Sequence, residues 1–210
     1  MDNYLTNNQK EYNNKIIKYI EETDIFDSKK TIFVLNDKNL HRDLTFERLK
    51  TVIHSDIFSE INMENDYDKY FTIFDNMHLI DTSLSIKLGV NFGLFGFSIL
   101  KLGTEKHVTY INDLMKGKIY GCFAMTEINH GSDVKNIKTI AKYDVKSKCF
   151  IINTNYMANS KFWIGNAYLN ATHAVVFAQL YINNDCKGIH AFIVQIRKED
   201  GNTIEGITIN

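Results

Sequence analysis

The stretch TEKHVTYINDLMKGKIYGCFAMTEINHGSD, residues 104–133, changes its period in the middle, and that change sets the fold class. In its first half Val108, Ile111, Leu114 and Met115 lie three and four residues apart or adjacent, so they share one face of a helix. Thr104 is placed to cap that helix, Glu105 suits its positive end, and Gly117 is available to end it. From Lys118 to Thr126 the apolar residues form one short run, the signature of a buried strand, which then empties into the polar loop Glu127 to Asp133.

Both periods continue outward. Towards the amino terminus the spacing is helical: Tyr12, Ile16, Tyr19 and Ile20, then Phe46, Leu49, Val52 and Ile53, then Tyr67, Phe71, Phe74 and His78. Leu88 to Leu100, the most apolar segment, reads as a core helix or helix pair; its 13 residues are short of the roughly 20 needed to span a bilayer, and it contains Asn91. Towards the carboxy terminus the pattern predicts strands at Lys138 to Tyr143, Cys149 to Asn153, Thr172 to Tyr181 and Gly188 to Ile196. Asp144 to Lys148 predicts a hairpin, and Asn183, Asn184, Asp185 and Gly188 a second turn. Thr172 to Tyr181 and Gly188 to Ile196 carry almost no charge and are expected to be buried on both faces. The closing GNTIEGITIN reads as one more strand with an uncovered edge, which suggests truncation. The class is α+β, with a helical part at 1–117 and a β part at 118–210.

Composition removes several functions. The 24 basic and 25 acidic residues leave a net charge of −1, with no polycationic surface for nucleic acid or anionic lipid. Three cysteines without CxxC spacing argue against a disulfide scaffold and for a reducing compartment. The start, MDNYLTNNQKEYNN, lacks the features of a secretory or transit signal, so the product is expected inside the cell. Proline is absent, so loops must be built from Gly, Asn and Asp.

Phosphate-cradling loops and the GxSxG elbow are not found, and the seven histidines lack zinc-ligand spacing. His173 and His190 are placed to meet across neighbouring strands, with a structural role favoured over a metal. Two segments stand out. Residues 121–133 end a strand in backbone amides and the hydroxyls of Thr126 and Ser132, groups able to bind a flat polar ring edge or a phosphate; the plain alternative is a capped turn in which both bond their own backbone. Residues 161–166, KFWIGN, hold the sole tryptophan, Trp163, two residues before Gly165, which suits either an apolar wall for a ligand or a core aromatic beside a turn.

Taken together, GCFAMTEINHGSD, KFWIGNA, ATHAVVFAQL and GIHAFIVQIRKEDG resemble, in order and spacing, segments of the acyl-CoA oxidases, and HRDLTFERL and LGTEKH resemble that family's helical amino-terminal domain. The related acyl-CoA dehydrogenases usually carry proline after the TE pair and a W-I-T-N segment, where this chain has Ile128 and Gly165. The resemblance implies a helical domain followed by an incomplete antiparallel β-barrel or sandwich of the acyl-CoA dehydrogenase/oxidase type. It also implies FAD as cofactor, a fatty acyl-CoA as substrate, oxygen as electron acceptor, a homodimer and a peroxisomal location, with no nucleic acid and no membrane span. It assigns Thr126 and Gly165 to the flavin, places Trp163 beside it, and gives Ser132 to the FAD pyrophosphate or the CoA end of the substrate. The family's catalytic glutamate falls beyond residue 210, so the resemblance assigns no catalytic residue here, Glu127 included. A non-catalytic acyl-CoA or flavin-binding fragment, or a dehydrogenase, are the alternatives.

Overall fold

The structure, a computed structural model, describes residues 6–210. Residues 1–5, where the stretch read for a targeting signal begins, lie outside the described residues. Eight α-helices come first: α1 Asn7–Glu22, α2 Ser28–Val34, α3 Lys38–Ile53, α4 Asp56–Ser59, α5 Tyr67–Ile80, α6 Thr82–Leu88, α7 Phe97–Leu102 and α8 Val108–Met115. Lacking proline, the chain starts its helices with polar caps. The Asp37, Asp66 and Asp81 carboxylates accept from the first free amides of α3, α5 and α6, and Thr6 and Gln9 form a reciprocal capping box on α1. At the end of α8, Gly117 takes φ +65°, its amide bonds the Leu114 carbonyl at 3.0 Å, and Lys118 bonds Asp113 at 2.9 Å, the double bond of a Schellman stop.

α6 and α7 are one continuous helix, Thr82–Leu102, whose middle, Gly89–Gly96, widens into a π-helix. Its 21 residues are long and apolar enough to cross a membrane by length and composition, but its inner stripe, Leu84, Leu88, Phe92, Phe95 and Ile99, is buried in this chain. The expectation of a core helix holds, in a longer helix than the apolar run alone indicated.

In α5 the buried apolar residues are Tyr70, Ile73 and Met77, one position round from the stripe read at Tyr67, Phe71, Phe74 and His78. Both stripes are apolar, so periodicity could not choose between them; Tyr70, whose hydroxyl reaches the Leu88 carbonyl, packs inward and leaves Phe71 half exposed. Between α3 and α6 an ion pair is fully enclosed. Arg48 Nη1 donates to Asp81 Oδ2 at 3.0 Å while its Nε donates to the Ile25 carbonyl at 2.9 Å. One side chain thereby joins the segment before α2, α3 and the α5–α6 corner.

Five strands follow: β1 Gly121–Ala124, β2 Ile140–Asp144, β3 Cys149–Asn153, β4 His173–Ile182 and β5 Asp185–Gln195. The helices-then-strands order agrees with the expected class, and the pairing is mixed. β2 with β3 and β4 with β5 are antiparallel hairpins, while β1 and then β2 lie parallel to β4 along its other edge. The parallel contacts arise because β1 and β2 are joined by a loop running on along that edge instead of a tight reversal. The Asp144 carboxylate accepts from Ser147 within the first hairpin, and Asn183 and Asn184, at φ 52° and 64°, turn the second. Gly188, at φ +81°, sits where Lys187 and Gly188 together oppose Leu180, a bulge.

Three strand expectations change. β4 is buried, but β5 is half exposed, because one of its edges carries no strand among the described residues. Residues 201–210 form no strand; their backbone reaches the sheet by one bridge, Arg197 with Thr203, and by the Ile204 amide on the Ile196 carbonyl at 3.1 Å. His173 and His190 do not meet: His173 stands opposite Gln195 and His190 opposite Ala178, at separate ends of the pairing. A continuous core joins the helices to the sheet through Phe92, Phe95, Val175 and Phe177.

Candidate functional site

β1 leaves the sheet at Ala124 and is caught at once by the segment before Trp163. The Phe162 amide donates to the Thr126 carbonyl and the Ile128 amide to the Ser160 carbonyl, each at 3.0 Å, a short antiparallel ladder. Glu127, 1% exposed, fixes this ladder from below. Its Oε1 accepts from the Thr139 hydroxyl at 2.6 Å and the Thr139 amide at 2.8 Å, its Oε2 from the Lys138 amide at 2.8 Å, and Lys161 Nζ stands 3.3 Å away. Burial opposes the charge, yet the Thr139 hydroxyl, the two amides and the ammonium together hold the Glu127 carboxyl below the usual carboxylate range. With its oxygens committed to these donors, Glu127 is a structural anchor.

The ladder delivers Trp163 to the surface. Its backbone is left-handed, φ 57°, uncommon for a bulky residue, and its indole is 86% exposed, stacked on Phe162 at 5.3 Å with 24° between the rings. A core aromatic is thereby excluded. Gly165 is exposed two residues on; a Cβ built there would lie 3.5 Å from a Val90 methyl, ordinary contact, so packing within the chain does not require glycine. The Thr126 hydroxyl, half-buried, has no hydrogen-bond partner among the described residues, and neither does that of Ser132, so the plain alternative of hydroxyls bonding their own backbone does not occur. Thr126 on one side of the ladder and Trp163 and Gly165 on the other are brought together; Ser132 lies exposed farther along the loop, and no bond ties it to them.

Three residues that the sequence did not assign to the site hold this arrangement. Asn91, buried in the π-helix, accepts from the Gly121 amide at 2.8 Å. Asn166, at φ 70°, donates to the Gly121 carbonyl at 3.0 Å. Lys87 Nζ donates to Asn166 Oδ1 at 3.1 Å and to Asn170 Oδ1 at 2.6 Å. A lone asparagine inside an apolar run was the available signal, since an amide is buried there only with partners. The far end of the same turn is tied by Arg197, whose guanidinium donates to the carbonyls of Ala167, Tyr168 and Ala171 at 2.6–2.8 Å.

Val90 also belongs to an open apolar groove of about 410 Å³, lined by Tyr70, Phe71 and Phe74 of α5, Ile86 of α6, Gly89, Gly93 and Leu94 of the π-helix, and Phe97. At Gly93 a Cβ would meet the Tyr70 hydroxyl at 2.9 Å, so glycine lets the two helices approach. Burial raises the Tyr70 phenol to about 12, which keeps it neutral. The lining holds no carboxylate, imidazole or thiol. Cys122 is buried, its thiol pushed up to about 12, and is no nucleophile. Among the described residues no group of histidine, cysteine, aspartate and glutamate could hold a metal.

Residues 122–209 match the acyl-CoA dehydrogenase middle domain. Acyl-coenzyme A oxidase 3, peroxisomal, of Arabidopsis thaliana is 38% identical over 187 residues, covering 85% of this chain and 28% of that protein. Peroxisomal acyl-coenzyme A oxidase 3 of Homo sapiens is 40% identical over 158 residues, covering 75% of this chain and 23% of that protein. The crystal structure of acyl-CoA oxidase1 from Yarrowia lipolytica superposes with a TM-score of 0.80 at 28% identity, over 92% of this chain and 28% of that one. Acyl-CoA oxidase-1 of Caenorhabditis elegans, complexed with FAD and ATP, shares the fold at 19% identity with a TM-score of 0.73. The chain spans 28% or less of the length of these curated relatives. The relatives' identity, the superposition on an oxidase and the run of matching segments agree: most of the chain is similar to a part of acyl-CoA oxidases, and residues 122–209 match the acyl-CoA dehydrogenase middle domain.

Proposed function

We propose that this chain is the FAD- and acyl-CoA-binding portion of an acyl-CoA oxidase, the enzyme that turns a fatty acyl-CoA and oxygen into the trans-2-enoyl-CoA and hydrogen peroxide in fatty acid β-oxidation. One juxtaposition carries this reading: an open indole face and an unpartnered threonine hydroxyl adjoin, through Gly165 and Val90, an apolar groove fit for an acyl chain. The residues fit a flavin, because a flat ring system with a polar edge needs a hydrogen-bond donor and an apolar face, and both are offered here without a partner. When bound, FAD supplies the hydride acceptor and hands its electrons to oxygen. In this arrangement the Thr126 hydroxyl would donate to the ring edge, Trp163 and the Gly165 backbone would hold its flat face, and Ser132 would reach the pyrophosphate or the CoA end. No residue of this chain receives the role of base; the groove is lined without an acid, and Glu127 is consumed in the fold. Residues 1–117 serve as the helical acyl-binding part and 118–210 as the flavin-binding β part, a division supported by the helix stop at Gly117. Fatty acyl-CoA and oxygen as partners, a homodimeric assembly and a peroxisomal setting complete the proposal, the last supported by the relatives' names.

Titration of the chain with FAD, followed by quenching of Trp163 emission, tests the reading. Saturable quenching is expected, and Thr126→Val should weaken binding about fivefold, the loss of one hydrogen bond of ~1 kcal/mol. Absence of FAD binding both alone and with a fatty acyl-CoA would overturn it. The match of residues 122–209 to a dehydrogenase domain supports a second reading, in which an electron-transferring flavoprotein replaces oxygen. Peroxide formed in air by the enzyme containing this segment separates the two.

A further inference from the structure

Lys87 is the one lysine that reaches from the long helix into the turn after Trp163. The residue is partly buried, its ammonium lies 5.5 Å from the centre of the Phe46 ring, and it forms no ion pair with a carboxylate among the described residues. The partners it has are the amide oxygens of Asn166 and Asn170. Asn166 is the residue after Gly165, and its own amide is bonded to Gly121 at the start of β1. We propose that Lys87 is a positioning residue for the aromatic turn: by donating to Asn166 and Asn170 together it fixes Trp163 and Gly165 against the long helix. That hold rests on the geometry alone; its consequence for flavin binding rests on the function proposed above.

A partly buried ammonium without a carboxylate partner loses its proton more easily than one in water. Burial, with Arg42 of α3 adding repulsion, lowers Lys87 to about 8. Lys50 of α3 lies over the same Phe46 ring, and the turn contributes only neutral amides, so nothing facing Lys87 restores its charge. A site that lowers the lysine pKa holds the neutral amine, which still has two N–H donors for Asn166 and Asn170, better than the ammonium, so the turn is held more firmly above about pH 8 than below it. The change is local. Between about 8 and the lysine value in an unfolded chain, about 10.4, the unfolded state binds more protons than the folded one, so this group's contribution to folding stability rises with pH.

Trp163 is the sole tryptophan and sits on the turn in question, so its emission anisotropy reads the hold directly. The 210-residue chain should show a rise in anisotropy as pH increases, with a midpoint near pH 8, while circular dichroism stays constant. Lys87→Met should remove the step, and Asn170→Asp, which gives the ammonium a carboxylate, should move the midpoint upward by more than one pH unit, about tenfold in proton affinity. FAD affinity measured in parallel at pH 7 should fall about tenfold in Lys87→Met, equivalent to ~1.4 kcal/mol. A flat anisotropy profile, or a step left in place by both variants, overturns the positioning role. The expected anisotropy changes without any FAD binding would leave Lys87 as the latch and remove the flavin reading instead.

Discussion

Lys161 Nζ stands 3.3 Å from the Glu127 carboxylate, a group closed to solvent, and the same ammonium donates to the Met125 carbonyl at 2.9 Å. The pair spans the two strands of the ladder that presents Thr126 and Trp163. Removing the carboxylate strands Lys161 and unties Thr139 and Lys138. Glu127→Ala should lower stability by about 3–5 kcal/mol, the usual cost of breaking a buried pair, in urea unfolding. Lys161→Met should cost less, since three hydrogen bonds to Glu127 remain.

The same carboxylate sets an acid limit. Its folded pKa is depressed, so its contribution is complete above the unfolded glutamate value of about 4.3 and is lost as pH falls through the lower folded value. Melting temperature should drop steeply below pH 4.3, and Glu127→Gln should flatten that part of the profile. An unchanged acid limb in the variant would show that other carboxylates govern it.

Arg48, 0% exposed, should be the most sensitive charged position in the helices. Arg48→Met leaves the Asp81 carboxylate buried without its ion partner and frees the Ile25 carbonyl, an expected loss of about 3–5 kcal/mol by chemical denaturation.

At Gly121 a Cβ would overlap the Phe95 ring, because β1 crosses directly over the long helix at that point. Gly121→Ala should therefore destabilise by about 1–3 kcal/mol although alanine is a better strand residue, and trimming the ring with Phe95→Leu should restore part of the loss in thermal unfolding.

Phe71 is half exposed on the groove wall, so its removal should affect ligand more than fold. Phe71→Ser should weaken a long-chain acyl-CoA about fivefold, ~1 kcal/mol for half a phenyl face, with little change for a short-chain one. Calorimetry with both ligands makes the comparison.

Much of this molecule can be read without its structure. The stop at Gly117 followed from a glycine after an amphipathic run, and the Asp144 and Asn183 turns from residues that tolerate or bond a reversed backbone. Such features are local: the residues that define them lie within one turn of one another. The order helix then strand, and the identity of Trp163 and Thr126 as candidates, came from the same short range together with the resemblance of consecutive segments.

What the sequence by itself determined was thus the class of each element and the resemblance of its segments to those of acyl-CoA oxidases. Tertiary structure decided which of two apolar stripes of α5 faces the core, that residues 201–210 pair by one bridge instead of a strand, and that His173 and His190 stand at separate ends of the β4–β5 pairing. It also brought Lys87 and Asn91 to Asn166 and Gly121 across dozens of intervening residues. Periodicity reports that a face is apolar but carries no information about the partner packed on it, and a hydrogen bond between distant residues leaves no spacing to detect. Only the packed chain shows that the turn bearing Trp163 is held by a lysine of the core helix.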